Sequence, residues 1–557
     1  MRDDTQHSNR RFPVKMLAGS ALAILGLAYL NFQVDFLNER FNFNPGIPNV
    51  LNGVFTIVLI VAWSIWAFCW AKLRVLGLLI MLIPAAFFTM YFPSFGGDGN
   101  VIGWKPRFWQ STVEYVSLAK KSTGAINLAT TTTRDFPQFL GPHRNGTVDG
   151  IVLDSDWKTN PPVLRWKQNV GEGWSGFVAV NGYAVTQEQR GADECVSCYE
   201  IETGQLAWIH RAPRRHEDIT ALGKVGPRAT PTIDEGLVYV TSGTGILDCL
   251  DGSTGEVVWS ADVPTLVGIS QISHTNGLGL SYSMEDSNLM WGRSGSPLVY
   301  QDKVFVPAGG PSSDPEKSTT TLIAFDKKTG KEIWRGGKRM VAYGSPSLET
   351  VLGKPQIVLV AEDHAVGHDP ESGIELWNHE RAGKSNANAN CSQVTFVADN
   401  RLALSKGYNL GGELIELSEN GGVISVRSLK TDSRVMKTKL TSPVVFQGHA
   451  FSLSDGYLEC TELEMLSRKW KQRGRFGNGQ LLLVGDLLLV HSEGGQLLLI
   501  SANATEFQEL GSIKTISGTC WNTLCLYGNL LLVRSELEMA CFELPIRVEN
   551  STATKNQ

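Results

Sequence analysis

The sequence predicts an all-β fold, an eight-bladed β-propeller of four-stranded blades, preceded by an N-terminal bundle of about three transmembrane α-helices. Two observations predict this. A phrase of two short strands ending in Trp recurs through most of the chain, and three long apolar runs precede its first copy. Repeats of roughly 40 to 50 residues are typical of propeller blades.

The apolar runs extend from Val14 to Phe32, from Val50 to Ala71 and from Val75 to Phe92. Each is close to the ~20 residues that cross a bilayer as a helix. A cleaved signal peptide would account for the first run alone. We therefore predict a membrane anchor over residues 1–95.

Basic residues predict the orientation of this anchor. They precede the first run and also lie between the second and third runs, namely Arg2, Arg10, Arg11, Lys15, Lys72 and Arg74. Such residues favour the cytoplasmic side. Three crossings then place the rest of the chain in the periplasm, anchored to the inner membrane. If the first run does not span, the orientation reverses.

Residues 96–134 have the composition of a juxtamembrane linker. Gly96, Gly97 and Gly99 open it, residues 107–122 could form one amphipathic helix, and four Thr residues occupy 130–133. We expect the propeller over residues 135–545 and a disordered tail over residues 546–557.

The repeated phrase is clearest in "LDCLDGSTGEVVW" at residues 247–259. Outer strands are marked by a Trp in six copies, at Trp166, Trp208, Trp259, Trp334, Trp377 and Trp470. Spacing alone places two more outer strands at Val426 and Leu510. We expect the Trp rings to pack between blades, whereas a ring of ligand-stacking Trp is the alternative.

The two ends of the repeat region are incomplete in complementary ways. The strand that contains Trp166 has no inner strands before it, and the last copy has three inner strands and no outer one. Pairing the first strand with the last three would give a composite eighth blade. This closure would also leave no exposed sheet edge.

The phrase "xLxAxDxxTGxxxW" resembles the repeat of the quinoprotein alcohol dehydrogenases and of the BamB-type assembly lipoproteins, which are PQQ-like eight-bladed propellers. "FPQFLGPHRNGTVDG" and the stretch after it look closest to the PQQ-like repeat proteins of planctomycete type. The resemblance covers about residues 135–545. It implies the fold and leaves the activity open, because function depends on sites grafted onto folds.

The resemblance also says what a quinoprotein enzyme would need. In those enzymes the quinone stacks between a Trp and a disulfide of two adjacent cysteines, above a calcium ion held by Glu, Asn and a catalytic Asp. This sequence has no adjacent Cys pair and no Cys-x-x-Cys-His haem motif. We therefore predict no catalytic residues and no cofactor, with PQQ and calcium as the alternative.

Cys198, Cys249, Cys460 and Cys541 fall on the same strand of their repeats. Buried free thiols are the favoured interpretation, and disulfides in an oxidising compartment are the alternative. Only Cys195 and Cys198 have the spacing of zinc ligands, and no second pair accompanies them. No metal site is predicted.

Polar residues gather just before or after the predicted inner strands, where they would face the central channel. The candidate ligand-binding residues are Glu188, Arg190, Arg228, Arg293, Tyr343 and Asn390. Because a guanidinium binds carboxylate or phosphate bidentately, this mouth could hold a small acidic ligand. The alternative is that these charges pair with one another and hold the blades in register.

An insertion between Trp259 and Trp334, "SQISHTNGLGLSYSMEDSNLMWG", should overhang one face of the ring. The net charge of −5 shows no basic excess, so no nucleic-acid partner is expected. The favoured hypothesis is a membrane-anchored, non-catalytic extracytoplasmic propeller that serves as a binding or scaffold module with a protein partner on one face. The alternative is a periplasmic PQQ-dependent oxidoreductase.

Overall fold

A computed structural model describes residues 14–41, 47–69, 75, 82, 86–87, 89–95, 101–106, 126–129, 131–218, 224–276, 279–287, 289–311, 319–361, 363–381, 389–474 and 476–547. The chain divides into two compact units, Met1–Gln110 and Ser111–Gln557. The predicted helix at 107–122 lies outside the described residues, and so does most of the predicted tail.

The described residues of the first unit include the helices α1 (Val14–Phe41) and α2 (Ile47–Cys69) and a hairpin of β1 (Tyr91–Phe95) and β2 (Val101–Pro106). The helices cover the first two apolar runs, and the Trp63 indole donates to Ser20 Oγ at 3.2 Å between them. Strand β1 takes the end of the third run, and it pairs antiparallel with β2 in the predicted linker. In the part of the chain that the structure describes, no helix has both the length and the hydropathy needed to cross a membrane.

The second unit begins with β3 (Thr147–Val148) and β4 (Val163–Asn169). Blade 1 comprises β5 (Val178–Val180), β6 (Tyr183–Arg190), β7 (Asp193–Glu200) and β8 (Leu206–Ala212). Blade 2 comprises β9 (Thr232–Asp234), β10 (Leu237–Thr241), β11 (Ile246–Asp251) and β12 (Val257–Asp262). Between blades 2 and 3 lie α3 (Val263–Leu266) and a hairpin of β13 (Gln271–Thr275) and β14 (Ser281–Glu285).

Blade 3 comprises β15 (Leu298–Tyr300), β16 (Lys303–Gly309), β17 (Thr320–Asp326) and β18 (Glu332–Gly336). Blade 4 comprises β19 (Ser347–Val351), β20 (Lys354–Val360), β21 (His364–His368) and β22 (Glu375–Glu380). Blade 5 comprises β23 (Thr395–Ala398), β24 (Arg401–Lys406), β25 (Gly411–Asn420) and β26 (Val423–Asp432).

Blade 6 comprises β27 (Val444–Phe446), β28 (His449–Ser454), β29 (Tyr457–Glu462) and β30 (Ser467–Lys471). Blade 7 comprises β31 (Gln480–Val484), β32 (Leu487–His491), β33 (Gln496–Ser501) and β34 (Glu509–Lys514), with β3 added beside β31. Blade 8 comprises β35 (Cys525–Tyr527), β36 (Leu530–Arg534), β37 (Glu538–Glu543) and β4.

The prediction of an all-β propeller with eight four-stranded blades is confirmed. The composite blade is also present, because β4 pairs antiparallel with β37 and Trp166 lies opposite Cys541. The first and last segments of the second unit are thus hydrogen-bonded to each other. This pairing closes the ring and covers both edges that a linear array of blades would expose.

The repeated phrase is explained by the contact between neighbouring blades. The Trp259 indole donates to Lys327 O of blade 3 at 3.0 Å, and its ring lies against Gly330, where an added Cβ would come within 2.5 Å of it. Corresponding indole-to-carbonyl bonds join Trp166 to Ile201, Trp208 to Gly252, Trp334 to Pro370 and Trp470 to Asn503. Trp377 differs, since its indole donates to Gln356 of its own blade at 2.6 Å.

The turn glycine in this contact must adopt a backbone that other residues avoid. Gly330 has a φ of 69°, in the left-handed region that glycine enters without a steric penalty. Asp326 at the start of the turn accepts the backbone N–H groups of Lys328 and Thr329. The Asp and the Gly of each phrase therefore hold its turn against the Trp ring of the preceding blade.

The cysteines follow the same register. Cys198, Cys249 and Cys460 lie directly opposite Trp208, Trp259 and Trp470 on the neighbouring strand. All eight propeller cysteines are free, and seven of them are buried. The interpretation as buried free thiols is confirmed over disulfides.

In blades 5 and 7 the register differs from the prediction. Val426 and Leu510 do lie in outer strands β26 and β34. In the blades that have the Trp, it lies opposite the third-strand residue just before a register shift. In blades 5 and 7 the residues at that position are Lys430 and Gly511. In blade 5, spacing missed this position because β26 has 10 residues, whereas the outer strand of blade 6 has 5.

Candidate functional site

The mouth of the channel is built where the inner strands begin. Gly176 N donates to Thr230 Oγ1 at 3.0 Å, Thr230 N to Ser296 Oγ at 2.9 Å, and Ser296 N to Ser345 Oγ at 2.9 Å. These bonds tie successive blades together around the axis. The residues two positions earlier in each blade therefore stand at equivalent places around the mouth: Trp174, Arg228, Ser294 and Tyr343.

Glu188 and Arg190 are brought together in a buried cluster. Glu188 has no exposed surface and accepts hydrogen bonds from Arg190 at 2.9 Å, Tyr199 at 2.8 Å, Ser197 at 2.5 Å and Gly171 N at 2.5 Å. Burial would raise the pKa of Glu188, but the Arg190 guanidinium and the other donors hold it below its usual range. Both carboxylate oxygens are already satisfied, so this pair stabilises the blade.

Arg293 is also occupied by an internal partner. Its Nε and Nη2 donate to the two carboxylate oxygens of Glu285 at 2.7 and 3.1 Å, and its Nη1 donates to Pro307 O at 3.1 Å. Glu285 comes from the hairpin of β13 and β14, which is the predicted insertion. A bidentate guanidinium–carboxylate pair of this kind fixes both geometry and position. Arg293 thus anchors the insertion to blade 3.

The insertion lies over the connection between blades 1 and 2. Ser283 N donates to Arg215 O at 2.9 Å, and Asn276 Nδ2 donates to Glu217 Oε2 at 2.8 Å. Strand β13 is exposed along its whole length. The expectation that the insertion overhangs one face of the ring agrees with this arrangement.

Arg228, Tyr343 and Asn390 are neighbours at the mouth. Tyr343 N donates to Asn390 O at 2.9 Å, and Arg228 acts electrostatically on the Tyr343 hydroxyl. Arg228 Nη1 donates to Gly226 O at 2.6 Å. Burial lowers the pKa of Arg228 to about 10, which still leaves it charged at neutral pH. Asn386 and Asn388, from the same predicted loop, lie outside the described residues.

The Asn390 side chain stands out among the predicted residues. It is 1% exposed, and among the described residues neither its amide oxygen nor its amide nitrogen has a hydrogen-bond partner. A buried amide without partners costs free energy on the order of 1–3 kcal/mol. Asn390 is therefore the group at this mouth that a polar ligand or an ordered water would satisfy.

Two titratable groups beside Arg228 are not among the predicted ligand-binding residues. Burial, together with the Arg228 charge, lowers the pKa of His216 to about 3, so its imidazole is neutral. Burial raises the pKa of Glu194 to about 7, although Gly243 N donates to this carboxylate at 3.1 Å. In the sequence, His216 lies in the "PRRHED" connection, and Glu194 lies just after the turn between the second and third strands of blade 1.

An aromatic pair beside Arg228 was also missed, since Trp174 N donates to Pro227 O at 2.7 Å. The rings of Trp174 and Trp521 lie 4.5 Å apart, and Lys224 Nζ stands 5.1 and 5.5 Å from their centres. Trp521 donates to Glu493 Oε1 at 2.7 Å. The two Trp residues occupy the same repeat position, a signal that an alignment of inner strands would have shown.

A segment before the first blade fills the channel. Phe136 pairs with Ala179, Pro137 O accepts from Ile233 N, and β3 runs parallel to β31. Arg144, 5% exposed, donates to Ser296 O at 2.7 Å, Pro297 O at 3.1 Å and Pro346 O at 2.7 Å. Because these contacts reach inner strands around the ring, the channel is a plugged core, and the mouth is a shallow site above it.

The fold and this mouth define a member of the eight-bladed propellers with PQQ-like repeats. The family described as outer membrane protein assembly factor BamB matches residues 164–275 and 192–504, which together exceed half of the chain. The chain belongs to this family.

Individual relatives are distant. A quinohemoprotein alcohol dehydrogenase from Comamonas testosteroni is 24% identical over 161 residues, 27% of this chain, which spans 19% of that relative's length. BamB from Moraxella catarrhalis has a TM-score of 0.46 at 14% identity, covering 69% of this chain and 100% of that one. The Comamonas testosteroni enzyme's structure has a TM-score of 0.41 at 12% identity, covering 75% of this chain and 82% of that one.

Proposed function

We propose that the chain is a non-catalytic binding or scaffold module, held at a membrane by its N-terminal helices with the propeller on the extracytoplasmic side. The observation that carries this proposal is the internal pairing of the mouth charges. Glu188 is satisfied by four donors and Arg293 by both oxygens of Glu285. Charges used in this way stabilise a rigid platform.

The quinoprotein alternative was tested against the residues at the mouth. The two Trp rings that a planar quinone could stack on are tilted by 41° and are covered by Lys224. Among the described residues, no group of three or more His, Cys, Asp or Glu side chains is placed to hold a metal. The residues do not fit a quinone above a calcium ion, so we derive no step through either.

Exposed apolar side chains on the N-terminal helices support the membrane part of the proposal. Leu22 and Leu25 of α1 are 71% and 65% exposed, and Ile57 and Ile65 of α2 are 59% and 60% exposed. Apolar side chains at this density are not left in water without a partner. A lipid bilayer is the environment that they suit.

The decisive experiment exposes the full chain in detergent to pyrroloquinoline quinone and calcium and then measures dye reduction with alcohols and sugars. We expect no dye reduction above that of the Arg228→Gln variant. Quinone-dependent reduction that this substitution abolishes would overturn the non-catalytic proposal.

The binding role has its own test, on the exposed strand β13. In native cells, residue-specific cross-linking should trap one defined protein from position 272, where Ile272 is 49% exposed. Position 257 in blade 2, where Val257 is 46% exposed, is the matched control. Equal, unselective trapping from both positions would count against a docking face at the insertion.

A further inference from the structure

The junction between blades 5 and 6 is built differently from the Trp-filled junctions. Its repeat position for Trp holds Lys430, and the turn position that is Gly330 in blade 3 holds Leu466. Lys430 Nζ donates to Met465 O, so the ammonium replaces the indole N–H in bonding the next blade's turn. A lysine side chain is much narrower than an indole, and it leaves space where the ring would lie.

A pocket of about 740 Å³ lies beside this junction, within the size range of small-molecule sites. Val435 and Leu466 lie behind its surface and are only 2% and 1% exposed, so the surface open to a ligand is mainly polar. The full lining is Leu410, Lys430, Thr431, Asp432, Ser433, Arg434, Val435, Leu466, Ser467 and Arg468.

The charged part of the lining is cationic. Asp432 binds Arg434 bidentately at 3.0 and 2.9 Å, and the buried Glu459 accepts from Arg468 Nε at 3.1 Å. Three cations therefore face two carboxylates, which leaves one positive charge in excess. The Nη1 groups of both arginines and two hydrogens of Lys430 keep donor capacity that these bonds do not use.

Backbone strain marks the same place. Leu466 has a φ of 46°, in the left-handed region, where a residue with a Cβ pays roughly 1–2 kcal/mol. Leu466 thus costs local stability that Gly330 does not cost at the corresponding turn of blade 3.

We infer that this pocket binds a small organic anion, with the oxyanion head on Lys430 and on the arginine donors that the internal bonds do not use. Carboxylates and phosphate monoesters share this chemistry. The site is separate from the channel mouth, so it does not depend on the function proposed above.

The test is equilibrium dialysis of the full chain in detergent with benzoate, phenyl phosphate and the neutral analogue benzamide. We expect saturable binding of at least one anion, and the tighter of the two identifies the head group. Benzamide should bind at least about tenfold more weakly, since it lacks the charge that the cations contact.

Variants locate the binding. Lys430→Met keeps the chain length and should weaken anion binding about tenfold or more, and Arg434→Gln should weaken it independently. Arg427→Gln is the matched control, because Arg427 lies on the same strand, is 72% exposed and pairs with Glu416 outside the pocket. The absence of saturable anion binding, or equal binding by the Lys430→Met and Arg427→Gln variants, would overturn the inference. Circular dichroism confirms that each variant is folded.

Discussion

The junction between blades 2 and 3 and the junction between blades 5 and 6 solve the same packing problem in opposite ways. At the first, the Trp259 ring fills the gap and rests on Gly330. At the second, Lys430 keeps the hydrogen bond and gives up the volume. The comparison teaches that the bond to the neighbouring turn is separable from the filling of the gap. Where no ring fills the gap, a pocket lies beside the junction, and the bond to the neighbouring turn is kept.

A third junction shows that the gap must otherwise be filled from elsewhere. Blade 7 has Gly511 at the Trp position, and Trp157, from the segment that precedes β4, packs on it. Trp157 is 4% exposed, but its indole N–H has no hydrogen-bond partner. Here the volume is restored and the bond is not, the reverse of the Lys430 junction.

The largest effect should come from removing the Trp ring at a junction where it both fills the gap and bonds the neighbouring turn. Trp259→Ala should lower the free energy of unfolding by about 3–5 kcal/mol, because it leaves an indole-sized cavity. Lys430→Ala should lower it by less than about 1 kcal/mol, because no filled volume is lost. Denaturant unfolding of the full chain measures both, and similar losses would show that the two junctions do not differ as described.

Trp157→Ala should cost about 3 kcal/mol, somewhat less than Trp259→Ala, because the Trp157 indole makes no hydrogen bond that the change could break. Trp157→Phe serves as the control, since it retains most of the volume and should cost roughly 1 kcal/mol. If Trp157→Ala left the unfolding midpoint unchanged, then the segment that precedes β4 would not fill the gap between blades 7 and 8.

Gly330→Ala isolates the other half of the contact. Its φ of 69° and a Cβ position 2.5 Å from the Trp259 ring should together cost about 2 kcal/mol. Gly353→Ala is the matched control, because Gly353 has a φ of 71° and nothing within 4 Å of its added Cβ. The difference between the two variants measures the ring contact alone, and equal losses would mean that backbone conformation explains everything.

The sequence predicted the parts of this fold that depend on local pattern. The recurring Asp, Gly and Trp predicted the blades, and the incomplete first and last copies predicted the pairing of β4 with β37. Lys430 could not be recognised, because a register shift inside a long hairpin sets its repeat position. The contacts of Arg144 were equally hidden, since Arg144 donates to carbonyls 152 to 202 positions away. The mouth charges pair over short distances, because Arg293 binds Glu285 eight positions away and Arg190 binds Glu188 two positions away. Which of these pairs form depends on side-chain geometry, which the repeat pattern does not give.

The smallest effect distinguishes the junctions by pH. Burial would raise the pKa of Asp432, but Arg434 holds it below its usual range. A carboxylate whose folded pKa is depressed contributes stability above its unfolded pKa, near ~3.9, and that contribution is lost as pH falls through the folded value. The turn that receives the Trp259 indole is not a suitable reference, because Asp326 in that turn also has a depressed pKa, owing to hydrogen bonds from Thr329. The turn that receives the Trp470 indole is held instead by Asn503, whose carbonyl accepts from Trp470 and whose amide oxygen accepts from Thr505 N, and this amide does not titrate.

Acidification from pH 5 to pH 3 should therefore loosen the junction of blades 5 and 6 by less than about 1 kcal/mol, because Arg434 is largely exposed. Hydrogen exchange of the β30 amides, corrected for intrinsic rates and referenced to those of β34, measures this change. Asp432→Asn should remove the additional pH dependence of β30. If β34 loosened as much as β30, or if the Asn variant kept the difference, then the charged lining would not be what holds this junction. The lysine-for-tryptophan exchange would then have changed its shape alone.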